Sequence, residues 1–364
     1  MNILFIGVKQ NKNTGGFICD EMNKNLVKNV STYSTNYQIE FNSSKISRGL
    51  YGFIGNYYAI KDKELNKIVD VIHKDKIEYV FISTSLLGWI AKKLQKKTKR
   101  IKIITFFHNV ESIYSFERLR VKPFNVYNYI LFVNSFFAER LAIKSSHYNI
   151  TMNERDKLKA EKIYKRKIDF ILPFCIKDEW DKSLNEVEVS DKVKILFVGS
   201  AFFANLEGIE WFCENVLPNL TCELKIVGNG FEKEKMNNKL KNAHIYGRVD
   251  DLSRYYKECD LVIAPIFSGS GMKTKIAESL MYSRPIIGTL EAFTGYFDDV
   301  NNSNSPLIEC NTKKEFVFQA NRLIDDRSKI KILWENSRKL YEEKYSSIRN
   351  ESKFVEFILS KENI

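Results

Sequence analysis

Twice along the chain, short uninterrupted apolar runs stop at a glycine or polar turn and give way to an amphipathic stretch. In residues 1–172 the runs are Ile3–Val8, Tyr79–Ser83, Ile101–Phe107, Tyr129–Val133, Asn149–Met152 and Asp169–Leu172, with helical patterns at Cys19–Lys28, Lys61–Lys74, Leu86–Lys97 and Ala138–Lys144. Strands apolar on both faces and alternating with helices predict a parallel sheet covered on both sides. Residues 173–192 break the rhythm with Pro173 and a polar run from Lys177, and read as a linker. The pattern then resumes. Strands are expected at Ile195–Val198, Glu223–Val227, His244–Tyr246, Leu261–Pro265 and Pro285–Thr289. Helices are expected at Gly208–Asn215, Glu232–Lys241, Leu252–Lys257 and Lys273–Tyr282, and the last 50 residues read as helical. The expectation is an α/β chain of two Rossmann-like, doubly wound domains over 1–172 and 193–345, with a final helix at about 346–364 returning to the first.

Length agrees, because single cores rarely grow beyond about 250–300 residues and this chain has 364. No stretch approaches the roughly 18 apolar residues of a membrane span, and Met1–Gln10 reads as a buried first strand instead of a leader. The six cysteines form no CxxC pair, which predicts free thiols in a reducing cytoplasm.

The net charge of +12 is unevenly placed: residues 1–170 hold 30 Lys+Arg against 15 Asp+Glu (+15), and the remainder 27 against 30 (−3). A lysine-rich solvated surface and attraction to an anionic membrane surface or phosphate-bearing acceptor are both open readings. No helix-turn-helix, zinc finger or RNA-binding aromatic signature accompanies the charge, so no nucleic-acid partner is expected.

In a doubly wound sheet, ligands bind beyond the carboxyl ends of the strands. Ala264–Glu278, APIFSGSGMKTKIAE, occupies such a place: a buried strand runs into Gly269-Ser270-Gly271, and a helix follows. Glycines admit a close backbone approach, a helix N-terminus attracts anions, and Lys273 and Lys275 add charge. That suits a pyrophosphate. Glu278 shares a helix face with Lys275 and lies roughly 9–10 Å from the helix start, within reach of a ribose. An ordinary Lys275–Glu278 surface ion pair fits the spacing too. His108 closes the run Ile103–Phe107 at a strand end; substrate contact and a satisfied structural histidine both remain open. There is no HExxH, GxSxG, GxxxxGK[ST], metal-ligand cluster or GxGxxG spacing, so no metal and no nicotinamide cofactor are expected.

The stretch Gly247–Thr289, GRVDDLSRYYKECDLVIAPIFSGSGMKTKIAESLMYSRPIIGT, resembles the donor-binding signature of GT-B glycosyltransferases, nearest to glycosyltransferase family 4 (glycosyl transferases group 1). The likeness extends through Ile195–Ser200 with Asn205, Leu224–Gly230 and the helices around Asn336–Tyr345, and more loosely through Gly15-Gly16 and Phe107-His108-Asn109. The resemblance implies two Rossmann-like domains facing across a cleft and retaining, metal-independent transfer of a sugar from a nucleoside-diphosphate sugar. UDP is favoured over GDP, no cofactor is needed, and the acceptor is a glycan or lipid-linked glycan of a bacterial surface polysaccharide. It implies that Glu278 binds the ribose and that Gly269, Ser270, Gly271, Met272, Lys273 and Thr274 meet the diphosphate with Lys275. Gly199, Ser200 and Asn205 join the donor site. Arg248 and Val249 flank the base, Gly16 lets a loop approach the donor, and His108 contacts the transferred sugar.

Two departures stand out. Many relatives carry a second glutamate eight residues before Glu278, where this chain has Ser270, and an arginine just after the Gly199 turn, where it has Ser200. Two other classes therefore stay open: a catalytically silent subunit supporting a partner transferase, and a sugar-nucleotide epimerase, for which no acid/base carboxylate set is visible.

Overall fold

The computed structural model describes residues 1–364 except 10–14, 41–44, 122, 181–191, 233–239, 241, 270, 301–303 and 363–364. The chain divides into two compact units, Met1–Phe174 with Asn350–Ile364, and Cys175–Arg349.

The first unit runs β1 (Asn2–Val8), α1 (Gly15–Val30), β2 (Tyr33–Ile39), α2 (Lys45–Gly52), α3 (Asp62–Lys74), β3 (Tyr79–Ile82), α4 (Gly88–Lys97), β4 (Lys102–Phe107), α5 (Glu111–Val121), α6 (Val126–Ser145), β5 (Tyr148–Thr151), α7 (Glu154–Tyr164) and β6 (Phe170–Ile171). Its strands form one parallel sheet in the order β2-β1-β3-β4-β5-β6. The central strands are buried along their length, as their unbroken Val/Ile/Phe content requires. One core packs α3 and α4 on the sheet through Leu65, Ile68, Ile90 and Leu94 against Leu4, Val80 and Ile103.

One expectation fails here, and one strand was not foreseen. Tyr129–Val133 is not a strand but part of the 20-residue helix α6. Its apolar run cannot be told from a buried strand by composition, but Asn125 caps the start by accepting from the Tyr127 amide at 3.0 Å. Buried Asn128, Asn134, Ser135, Ala138, Glu139 and Ala142 then continue at helical spacing. Conversely β2, YSTNYQI, has no apolar run because it is a half-exposed edge strand.

The second unit runs β7 (Val193–Val198), α8 (Phe203–Asn215), β8 (Cys222–Val227), β9 (Ala243–Tyr246), α9 (Ser253–Glu258), β10 (Leu261–Ala264), α10 (Thr274–Met281), β11 (Ile286–Gly288), β12 (Leu307–Glu309), α11 (Lys313–Asp325) and α12 (Arg327–Leu340). A π-helical turn at Tyr341–Tyr345 leads into α13 (Ser347–Ser360), most of which belongs to the first unit. The helix expected at Glu232–Lys241 falls largely outside the described residues. The parallel sheet has the order β12-β11-β10-β7-β8-β9, the doubly wound arrangement whose order reverses between β7 and β10. Val193, Ile195, Phe197, Leu224, Ile226, Leu261 and Ile263 bury one face against α8, α11 and α12.

The segment read as a linker is partly built into the second unit. Ile176 bridges to Ser346, Asp178 pairs with Arg338, and the Glu179 amide donates to Met281 Sδ at 3.4 Å. All six cysteines are free thiols. Among the described residues no helix is long and apolar enough to cross a membrane, and no cluster of His, Cys, Asp and Glu is arranged to hold a metal.

Candidate functional site

The reversal of strand order between β7 and β10 opens a crevice at their carboxyl ends, and the loops that leave both strands converge there. After β7 comes Gly199-Ser200. A side chain on Gly199 would place its Cβ 2.7 Å from Asn205 Nδ2 and 3.0 Å from Lys275 Nζ, so glycine is what lets those two groups come together. Asn205, on α8, donates from Nδ2 to the Ser200 carbonyl at 2.8 Å and accepts from Lys275 Nζ at 3.0 Å. After β10 the chain passes through Gly269 (φ 134°) and Gly271 (φ 69°), both in backbone that side chains disfavour, before α10 begins. No side chain caps α10; the Ile276 amide donates to the Lys273 carbonyl at 3.1 Å, and the Thr274 and Lys275 amides are left as an anion-binding end.

Lys275 and Glu278 both rise from α10. Lys275 is buried, and its ammonium lies 4.3 Å from the Phe197 ring centroid. Burial pushes it down to about 7, opposed by the Glu278 charge, with Lys273 adding to the depression. Burial likewise holds the Glu278 carboxyl above the ordinary carboxylate range, opposed by Lys275 and by the Tyr256 and Thr274 hydroxyls. Tyr256 donates to Glu278 Oε2 at 3.4 Å. The surface ion pair allowed by the spacing is therefore not what forms: Lys275 hydrogen-bonds Asn205, and Glu278 accepts from Tyr256. A buried lysine lowered and a buried glutamate raised, both toward neutrality at one sheet edge, mark this place as the candidate ligand site.

Lys273 behaves differently. Its Nζ donates to Glu291 at 2.9 Å and to the Gly271 carbonyl at 3.0 Å, so Glu291 already matches its charge. Its carbonyl accepts from Tyr296 at 3.2 Å, which fixes the start of α10. Met272 is buried and Thr274 half-buried on α10. Ser270 lies outside the described residues. Arg248 is exposed and Val249 half-buried just beyond β9, on a turn tied back by the Gly228 amide to the Gly247 carbonyl at 3.2 Å.

In the first unit the corresponding edge lies between β1 and β3. Gly16 sits in the first turn of α1. His108 follows β4, packs edge-on to Phe106 at 5.4 Å, and points Nε2 toward Asp20 Oδ1 at 3.5 Å. Ser83, just after β3, donates to the same Asp20 oxygen. His108 Nε2 is buried and makes no hydrogen bond, and burial pushes the imidazole down to about 4. It is a neutral ring with one uncommitted nitrogen at a strand end. Beneath it, Glu139 of α6 accepts from the Glu111 and Ser112 amides at 2.8 and 3.0 Å, Tyr164 at 2.7 Å and Ser85 at 3.1 Å. A buried carboxylate thus caps α5 and fixes the loop that carries His108.

Sequence spacing does not reveal Glu291, Tyr256 or Asp20. Nor does it reveal Arg284, fully buried, which donates from Nε to the Tyr256 carbonyl at 2.8 Å and stacks on Trp334 at 4.2 Å. These contacts depend on which strands are neighbours. A strongly basic residue in the apolar stretch Tyr282–Gly288 was the one available signal.

Residues 192–326 match the family described as Glycosyl transferases group 1. The chain is similar to HepE of Anabaena, solved in complex with UDP, at 13% identity over 99% of this chain and 100% of that one, TM-score 0.69. It is similar to a sucrose-phosphate synthase from Thermosynechococcus elongatus at 12% identity over 99% and 98%, TM-score 0.70. A glycosyltransferase from Rickettsia africae matches at 15% identity over 98% and 97%, TM-score 0.70. No curated protein is similar in sequence at a significant level. The fold is GT-B, and the resemblance read in the sequence holds over residues 192–326.

Proposed function

We propose that this GT-B chain is a retaining glycosyltransferase that takes a sugar from a UDP-sugar and hands it to a glycan or lipid-linked glycan, in the synthesis of a bacterial surface polysaccharide. The observation that carries the reading is the pair Lys275 and Glu278 on an uncapped helix at the strand-order reversal, with Lys275 held by Asn205.

In this reading the diphosphate sits on the first-turn amides of α10 with Lys275, and Glu278 accepts from the ribose hydroxyls. Arg248 and Val249 flank the base, and Gly199, Ser200, Met272 and Thr274 complete the donor site. UDP is favoured because HepE, of the same fold, was solved with UDP and with UDP-glucose. As the bond from the sugar C1 to the diphosphate breaks, negative charge grows on the leaving oxygen. Lys275 and the helix amides stabilise it. The acceptor oxygen bonds C1 on the same face, and its proton ends on the departing phosphate. Lys275 and the amides supply the charge a divalent ion would otherwise supply, so no metal is assigned to the step. His108, neutral with a free Nε2, is assigned to the transferred sugar, and Gly16 to the approach of its loop.

Nucleotide release from UDP-sugars tests this. UDP release that survives a chelator and is lost in Glu278→Ala is the expected result. No release from any UDP- or GDP-sugar, with UDP still bound, would favour the silent subunit. Interconversion of the sugar without UDP release would favour the epimerase.

A further inference from the structure

Tyr256 is the one side chain that α9 buries completely. A phenol taken out of water needs a partner for its hydroxyl, and this one donates to Glu278 Oε2 at 3.4 Å. Its ring stacks on Tyr282, with centroids 4.7 Å apart and planes 16° from parallel. Tyr282 directly follows α10, the helix that carries Glu278. The phenol therefore meets that helix twice, through its hydroxyl at Glu278 and through its ring at Tyr282.

Arg284 holds the phenol in place from behind. Its Nε donates to the Tyr256 carbonyl at 2.8 Å and its Nη2 to the Lys257 carbonyl at 3.2 Å. These carbonyls belong to the last turn of α9, where a cation also suits the helix dipole. A planar fork of donors fits two adjacent carbonyls. The Arg284 amide donates to the Ser279 carbonyl at 2.8 Å, and its carbonyl accepts from Ser279 Oγ at 2.9 Å. One fully buried residue, its guanidinium 4.2 Å over the Trp334 ring, thus ties the end of α9 to α10 at the residue next to Glu278.

A carboxylate that accepts from a vicinal diol must present both oxygens to it, yet the terminal torsion of a glutamate has only a broad preference. A phenol on Oε2 removes that freedom. A carboxylate offers about four acceptor sites, so two further donors still fit. The same hydrogen bond favours the charged form, against the burial that raises the Glu278 carboxyl. We infer that Tyr256, clamped by Arg284, is a positioning residue that sets the Glu278 carboxylate for the two ribose hydroxyls and so makes the site select nucleotides that carry a ribose diol. The inference rests on the reading that Glu278 accepts from the ribose.

The test is calorimetric titration of the full chain with UDP and with 2′,3′-dideoxyuridine diphosphate. The parent chain is expected to prefer UDP at least about tenfold, and Tyr256→Phe, which keeps the stacked ring, to cut that preference about threefold to tenfold by weakening UDP alone. The dideoxy ligand should bind parent and variant alike, and Glu278→Ala should abolish the preference. A parent chain that binds neither ligand or both alike, or a Glu278→Ala variant that keeps the preference, overturns the ribose reading and the role of Tyr256 with it. A preference that Glu278→Ala abolishes and Tyr256→Phe leaves whole overturns the role of Tyr256 alone. So does a Tyr256→Phe variant that weakens both ligands equally, the mark of a merely structural support.

Discussion

The Lys275 ammonium donates to Asn205 Oδ1 at 3.0 Å, joining residues 70 positions apart across the mouth of the second sheet. Asn205 holds the cation in place without neutralising it, leaving its charge for a ligand. Lys275→Met is expected to weaken UDP binding about 10–100-fold, the loss of a charge-assisted hydrogen bond of about 1.5–3 kcal/mol. The fold should keep its melting temperature or gain, since a buried charge is removed. Calorimetric titration and thermal melts check both halves.

The titration of Lys275 gives a pH signature. Its pKa is about 7 in the fold, against 10.5 ordinarily, so between those values the unfolded chain binds the extra proton. Stability from this group therefore rises as pH climbs from 7 to 10.5, and is flat below 7. A diphosphate restores the ammonium, so binding takes up a proton above pH 7 and UDP affinity falls as pH rises toward 9. Titrations in buffers of different ionisation enthalpy measure that uptake. In Lys275→Met it should vanish.

Gly208 packs α8 directly on the loop that leaves β10: a Cβ there would lie 1.6 Å from the Pro265 carbonyl oxygen. Backbone cannot yield as a side chain would. Gly208→Ala is expected to cost about 3 kcal/mol or more and to weaken UDP binding too, because the same loop leads into α10. Urea unfolding followed by fluorescence reads the first effect.

Glu139 is the matching support in the first unit. Glu139→Ala strands the Glu111 and Ser112 amides, while Tyr164 keeps Ser112 Oγ at 2.8 Å; the expected loss is about 2–6 kcal/mol at about 1–3 kcal/mol per orphaned group. Urea unfolding should detect it, while nucleotide affinity, a property of the second unit, stays unchanged.

Much of this was legible in sequence because buried parallel strands are written as unbroken apolar runs. The strands at Val193–Val198, Cys222–Val227 and Leu261–Ala264 could be located within two residues at either end. The same signal misled at Tyr129–Val133, where a helix wedged between α2, α4 and α5 is as apolar as a strand, and it was silent for the polar edge strand β2. At the site, Gly269, Gly271, Lys275 and Glu278 sit within one loop-and-helix segment and were visible as a motif. The pairing of Lys273 with Glu291, the Tyr256 hydroxyl on Glu278 and the approach of Asp20 to His108 were not. Each joins groups from different elements, and strand order, which no local pattern encodes, sets those meetings.

A crystal soaked with UDP addresses the central claim directly. The diphosphate should lie against the Thr274 and Lys275 amides within hydrogen-bond reach of Lys275 Nζ, with both ribose hydroxyls on Glu278. UDP density anywhere else, with the mouth of α10 left open, would contradict it.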